Sequence, residues 1–245
     1  MKKTLMITDV TRMGHGNCCI AGICPEEGNC LYRLSAPRYI SQAEARNCKI
    51  RPGVVFVGTF SRDLAASEPH VEDCRWHIEE NRGLGDLNVL RHYLENSCVS
   101  DLDSGLGVFE KGTNVSGYVG RGRSIVSVVP EYASLSVRSP FDCGDKETLK
   151  MDMLVDGRPF EFLMVNDFRF YNEDGTINMA RVNLAQEFLR RWHQGEIDLI
   201  VRVGLTRPWK DKFWLQIDGL HFFKHGTGEY CDLFAAVYSD FQNVA

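Results

Sequence analysis

Short apolar runs of strand length, cut at close intervals by turn residues, fill most of this 245-residue chain, and their order narrows its fold more than any other feature. Residues 5–10 and 18–23 are rich in β-formers and are separated by Gly14-His15-Gly16-Asn17. A third run, 29–34, follows the turn Pro25-Glu26-Glu27-Gly28. Ser41-Gln42-Ala43-Glu44 then has the form of a capping box and predicts a short helix. Runs 54–60 and 71–78 come next, the latter with Cys74, Trp76 and Ile78 at period two. A helix is expected over 86–95, with Leu87, Leu90 and Leu94 on one face.

The second half repeats this order at larger scale. Strands are expected over 134–138, 149–155 and 159–165, the last two joined by Asp156-Gly157, a two-residue hairpin signal. Residues 179–193 read as the clearest helix: Val182, Ala185, Leu189 and Trp192 line one side and Gly195 ends it. Strands over 198–205 and 212–217 follow, then a turn at Asp218-Gly219, then strands over 220–223 and 233–238. Three strands, a helix and two strands is the order of an OB-fold barrel, in which the helix plugs one end. The expected fold is therefore mainly β (α+β by content): two OB-fold-like small barrels, each with a helix between its third and fourth strands. The division falls in the Gly-, Asp- and Ser-rich stretch 97–117. It gives 1–98 as the first barrel with its trailing helix, and 99–245 as the second, with the long helix 179–193 and extra C-terminal strands. A single β-sandwich with inserted helices is the competing arrangement.

Composition limits the function classes. With 44% hydrophobic and 25% charged residues the chain is neither a disordered tail, a collagen nor a coiled coil. No apolar run approaches the roughly 18–20 residues of a membrane helix. The opening Met1-Lys2-Lys3-Thr4-Leu5-Met6-Ile7-Thr8-Asp9 reaches a carboxylate too soon for a secretory leader, so a cytoplasmic location without membrane contact is expected. Net charge is −5, and neither half is net positive, so any nucleic-acid contact has to come from a local basic patch. The nine cysteines include a cluster at Cys18, Cys19, Cys24 and Cys30 without C-x-x-C spacing, and read as buried thiols rather than metal ligands.

Two strand ends carry the candidate chemistry. Thr11-Arg12 precedes Met13-Gly14-His15-Gly16, and Thr206-Arg207 precedes Pro208-Trp209-Lys210. The two hairpins echo each other in sequence but occupy different places in their barrels. OB barrels hold single strands with a basic groove and aromatic faces on which bases stack, each stack worth roughly 1–3 kcal/mol. Arg12, His15, Arg207, Trp209 and Lys210 are accordingly candidate nucleic-acid or nucleotide contacts. Gly117-Tyr118-Val119-Gly120-Arg121-Gly122-Arg123 adds Tyr118, Arg121 and Arg123, since glycines let backbone N–H groups approach a phosphate. That stretch lacks the Lys-Ser/Thr of a P-loop. His70, Glu72 and Cys74 share one face of an extended strand, as metal ligands or as partners for arginines such as Arg12 and Arg75. No nucleophile elbow, H-E-x-x-H or Walker A motif occurs, so no catalytic residue, metal or cofactor is assigned.

Ile7-Thr8-Asp9-Val10-Thr11-Arg12-Met13, Cys19-x-Ala21-Gly22-Ile23, Pro69-His70-Val71-Glu72-Asp73 and Leu205-Thr206-Arg207-Pro208 resemble the bacterial dual OB-containing domain family, over essentially the whole chain. The chain departs from that pattern at Leu34-Ser35-Ala36-Pro37-Arg38, where an Arg-Pro is expected after the third strand. The resemblance implies two OB folds and, by association, a role in prokaryotic conflict or phage defence, sensing or holding a nucleic acid or nucleotide. The expected function is a non-catalytic sensing or substrate-holding module for single-stranded nucleic acid or a nucleotide, working with an effector protein subunit of a defence system. The alternatives are a protein-interaction adaptor and, resting only on acidic clusters such as Asp101 and Asp103, a phosphodiester hydrolase.

Overall fold

The strands of the first half pair in a ring. The computed structural model describes residues 2–107, 114–116, 122–139 and 146–234. Strands β1 (Lys3–Arg12), β2 (Asn17–Cys24) and β3 (Cys30–Ala36) form an antiparallel meander. The short β4 (Ile40–Ser41) adds to β2 and leads into α1 (Gln42–Asn47), whose first turn is capped by the Ser41 hydroxyl accepting from the Glu44 N–H. β5 (Val54–Arg62) and β6 (Asp73–Leu84) pair antiparallel. β6 then lies parallel to β3, and β5 returns to β1. The ring β1-β2-β3-β6-β5, with its single parallel pair and a helix between the third and fourth long strands, is an OB-like barrel.

Helix α2 (Leu87–Asn96) is capped by Asp86 and wedges between the two halves. Its Leu90, Tyr93 and Leu94 pack on Met6, Ile23 and Val55 of the first barrel and on Ile200 and Phe223 of the second. The Gly-, Asp- and Ser-rich stretch 97–117 holds one more helix, α3 (Leu102–Leu106), whose leucines enter the second core, and a short β7 (Asn114–Ser116).

The second barrel consists of β8 (Ile125–Val128), β9 (Tyr132–Arg138), β10 (Thr148–Val155), β11 (Arg158–Val165), α4 (Met179–His193), β12 (Ile197–Leu205) and β13 (Lys212–Lys224). β9-β10-β11 is an antiparallel meander, β11 runs parallel to β13, and β13 pairs antiparallel with β12. β12 then pairs with β8. β8 and β9 are two halves of one barrel strand, broken at Val129-Pro130-Glu131, where proline has no N–H to give a ladder. Four residues ending at such a breaker carry little strand signal, and β8 escapes the sequence reading. Helix α4 sits between the third and fourth strands, as expected. It plugs the barrel with Val182, Ala185 and Leu189. Its Gln186 amide donates to the Leu135 carbonyl of β9 at 3.2 Å, and a His193 ring nitrogen lies 3.3 Å from the Ala133 carbonyl. The molecule is mostly β, with two small OB-like barrels.

Two strand expectations are adjusted. Asp156-Gly157 makes the expected hairpin, both residues at positive φ (50° and 68°). Asp218-Gly219 does not: β13 runs straight through it, and Asp218 is the extra residue of a β-bulge opposite Arg202 and Val203. Of the strand expected over 233–238, Leu233 lies in a turn and 235–238 fall outside the described residues. Among the described residues no helix is long and apolar enough to cross a membrane.

Candidate nucleic-acid interface

Two β-bulges build the seam between the barrels. In β1 the register with β2 slips at Thr8, between Ile7 and Asp9. Leu5 and Ile7 face the first core, and after the slip so does Val10. Without the extra residue, Asp9 would share the inward face of Leu5 and Ile7; the bulge turns it out toward the second barrel. The bulge at Asp218 does the same in β13. Leu215 and Ile217 face the second core, then Leu220 and Phe222, which turns His221 outward.

The side chains so aimed form a buried charged network. Arg202 donates from Nε to Asp9 Oδ1 at 3.2 Å, from Nη2 to Asp9 Oδ2 at 3.0 Å and from Nη1 to Ser127 Oγ at 3.0 Å. Both members of the pair are at most 1% exposed. Burial alone would raise the Asp9 carboxyl, but Arg202 and His221 hold it well below the usual carboxylate range. Asp218 goes the other way: burial and the neighbouring Asp9 charge push it up to about 7, against the Gln216 amide that donates to its Oδ1. Space here is tight. A Cβ on Gly204 would lie 1.9 Å from Asp218 Oδ2, so only glycine lets the two strands meet.

A second set of charges continues the seam. Arg33 donates to Asp73 at 2.6 Å and to Ser124 at 3.1 Å. Arg207 reaches across from the β12–β13 hairpin to the same Asp73 at 2.6 Å and to the Tyr39 hydroxyl at 3.1 Å. His70 is buried against Phe213, with one ring nitrogen 3.2 Å from the Thr206 carbonyl. Burial first, then Arg33 and Arg207, lower its pKa to about 2, so the ring is neutral. Phe168, from the turn after β11, joins the core of the first barrel.

The candidate contacts read from the sequence fall at different places around this seam. Arg12 lies over the Tyr171 ring, 4.1 Å from its centroid, and donates to the Gly175 carbonyl at 3.0 Å. His15 is exposed at positive φ (58°) in the β1–β2 turn. Arg207, Trp209 and Lys210 are brought together on the β12–β13 hairpin. Its tip, Lys210-Asp211, has both residues at positive φ (51° and 61°), the geometry of a tight two-residue turn. Trp209 is 58% exposed, with the Lys210 amine 4.4 Å from its centroid, whereas Arg207 is taken by Asp73. Arg123 is exposed and lines a small cleft beside α2. Tyr118 and Arg121 lie outside the described residues. Among the described residues no group of three or more His, Cys, Asp or Glu is placed to hold a metal ion.

A large opening between the barrels is lined by residues outside the candidate set read from the sequence. This cleft, of about 850 Å³, takes Arg46, Lys49 and Arg51 from the first barrel, and Phe168, Glu173, Arg181, Asp232 and Phe234 from the second. Arg46, at the end of α1, stacks over Phe168 at 4.2 Å and donates from Nη2 to the carbonyls of Tyr171 and Asn172 at 3.1 and 2.8 Å. It makes no ion pair among the described residues, and burial lowers its pKa. Arg181 lies over Phe234 at 4.3 Å, and Arg51 pairs with Asp232 at 2.8 Å. Four cations thus face two carboxylates. A signal was present: from Ala45 to Arg62 the sequence has no acidic residue and four basic ones.

A scan against models of known protein families matches none of them, and no curated protein matches the chain in sequence.

Proposed function

We propose that the chain binds single-stranded nucleic acid, or a nucleotide, in the large cleft between its barrels, without chemistry of its own. The observation that carries this is the cation excess of the cleft, four against two, in a chain whose net charge is −5. A phosphate can meet Arg46 and Lys49, which make no ion pair among the described residues, Glu173 acting on Arg46 only through space. The guanidinium groups of Arg46 and Arg181, held over the rings of Phe168 and Phe234, offer surfaces for a base to stack on. The resemblance to the bacterial dual OB-containing domain family points the same way. On it, the chain is the sensing or holding part of a defence system.

The test is fluorescence anisotropy of labelled twelve-nucleotide strands of DNA and RNA across a salt series. The parent is expected to bind. Changing Arg46 and Lys49 together to Ala is expected to weaken binding at least about tenfold and to reduce the salt slope by about 1.4, or roughly 0.7 for each lost phosphate contact. A parent that binds neither strand nor nucleotide, or a variant indistinguishable from it, overturns the reading.

A further inference from the structure

A second cleft, of about 380 Å³, opens where the β2–β3 turn, the end of α2 and the residues before β8 meet. Its lining includes Glu72, which is only 3% exposed. One oxygen of this carboxylate is engaged: Oε1 accepts from the Ser124 hydroxyl and lies 3.4 Å from Arg33 Nη2. The other, Oε2, is buried with no hydrogen-bond partner among the described residues. An interior carboxylate oxygen without a donor is costly, and folds seldom keep one unless a donor arrives from outside.

The rest of the lining indicates what carries that donor. Leu31 and the largely buried Tyr93 supply apolar walls for a flat ring. Arg62 and Arg123 are exposed there, and neither makes an ion pair among the described residues. Arg62 is steadied by donating to the Val71 carbonyl at 2.8 Å, which leaves its charge unneutralised. The cleft therefore offers an acceptor inside, apolar walls and two cations, at a volume typical of small-ligand sites.

We propose that this cleft is a guanine nucleotide site, in which Glu72 accepts from the base, Leu31 and Tyr93 flank the ring, and Arg62 and Arg123 meet the phosphate. Guanine is chosen because its N1–H and exocyclic amine are adjacent donors, the pattern that a carboxylate, an acceptor only, complements. Adenine and cytosine set an acceptor beside their amine, whose lone pair would face the carboxylate's own. The proposal goes beyond the strand-binding reading and does not depend on it, since the two clefts share no residue.

Calorimetric titration of the full chain with GMP, guanosine and AMP tests it. GMP is expected to bind, with AMP at least about tenfold weaker. Glu72→Gln is expected to weaken GMP about 100-fold. Because Glu72 also holds Ser124 and Arg33, the exposed Arg123→Ala provides a check that leaves the interior intact. It is expected to weaken GMP about tenfold and leave guanosine unchanged. Arg46→Ala is expected to leave the Glu72-dependent GMP binding as in the parent while weakening oligonucleotides, which separates this proposal from the reading of the large cleft. No binding of GMP at millimolar concentration, equal binding of AMP and GMP, or unaltered GMP binding by Arg123→Ala overturns the proposal.

Discussion

Arg202 and Arg46 both point into the space between the barrels, and they are satisfied differently. Arg202 is fully buried and faces the Asp9 carboxylate with two of its nitrogens. Arg46 is half-buried and donates only to main-chain carbonyls. In the seam the buried arginines Arg202 and Arg33 each pair with a carboxylate, Asp9 and Asp73. In the large cleft the cations outnumber the carboxylates. The comparison teaches that a charge taken out of water and matched within the chain holds the barrels together. One left at the rim without an ion pair is available to something else.

The strongest way to break this comparison is to remove the seam's central cation. Arg202→Ala leaves Asp9 buried and unpaired, and is expected to cost about 3–5 kcal/mol in urea unfolding. A loss below about 1 kcal/mol would make the seam no more structural than the cleft. Next comes pH. The Asp218 carboxyl is raised to about 7 in the folded chain, so the native state holds a proton that the unfolded chain releases near pH 4. Stability is therefore expected to fall as pH rises from about 4 to about 7, on the order of 4 kcal/mol in all. Asp9, lowered in the folded state, acts in the opposite sense below about pH 4, where its contribution is lost as it protonates. Asp218→Asn is expected to flatten the decline between about pH 4 and about 7 in thermal melts; an unchanged slope would mean that another group sets it.

Smaller effects sharpen the contrast. Arg207→Ala is expected to cost about 1 kcal/mol, since Asp73 keeps Arg33 as a partner and Arg207 is partly exposed. Trp209→Ala, at the tip of an exposed hairpin, is expected to change stability by less than about 0.5 kcal/mol. Equal unfolding midpoints for the two variants would remove Arg207 from the seam.

Much of the fold was legible because each barrel's strands alternate apolar residues with clear turn residues, and because α4 shows its apolar stripe over four turns. What was not legible has a common cause. A β-bulge leaves no local mark in sequence, yet it decides which face every later residue takes. Asp218-Gly219 has the composition of a turn, but the pairing of β13 with β12 on both sides of it fixes extended chain. Asp9 and His221 lie on strands, and only the slips at Thr8 and Asp218 turn them toward each other. The candidate residues differ in how far the sequence places them. The Trp209-Lys210 hairpin tip is exposed and basic, as its residues suggest, whereas Arg46, Lys49 and Arg51 come together with Arg181 only through the packing of one barrel on the other.

The central claim is that ligand meets the unmatched cations of the large cleft and not the matched ones of the seam. Photo-crosslinking of a 4-thiouridine-bearing single strand to the intact chain, mapped by mass spectrometry, tests this directly. The account predicts crosslinks in peptides spanning 45–54 and 168–181. Crosslinks confined to other peptides, with none in those two, would contradict it.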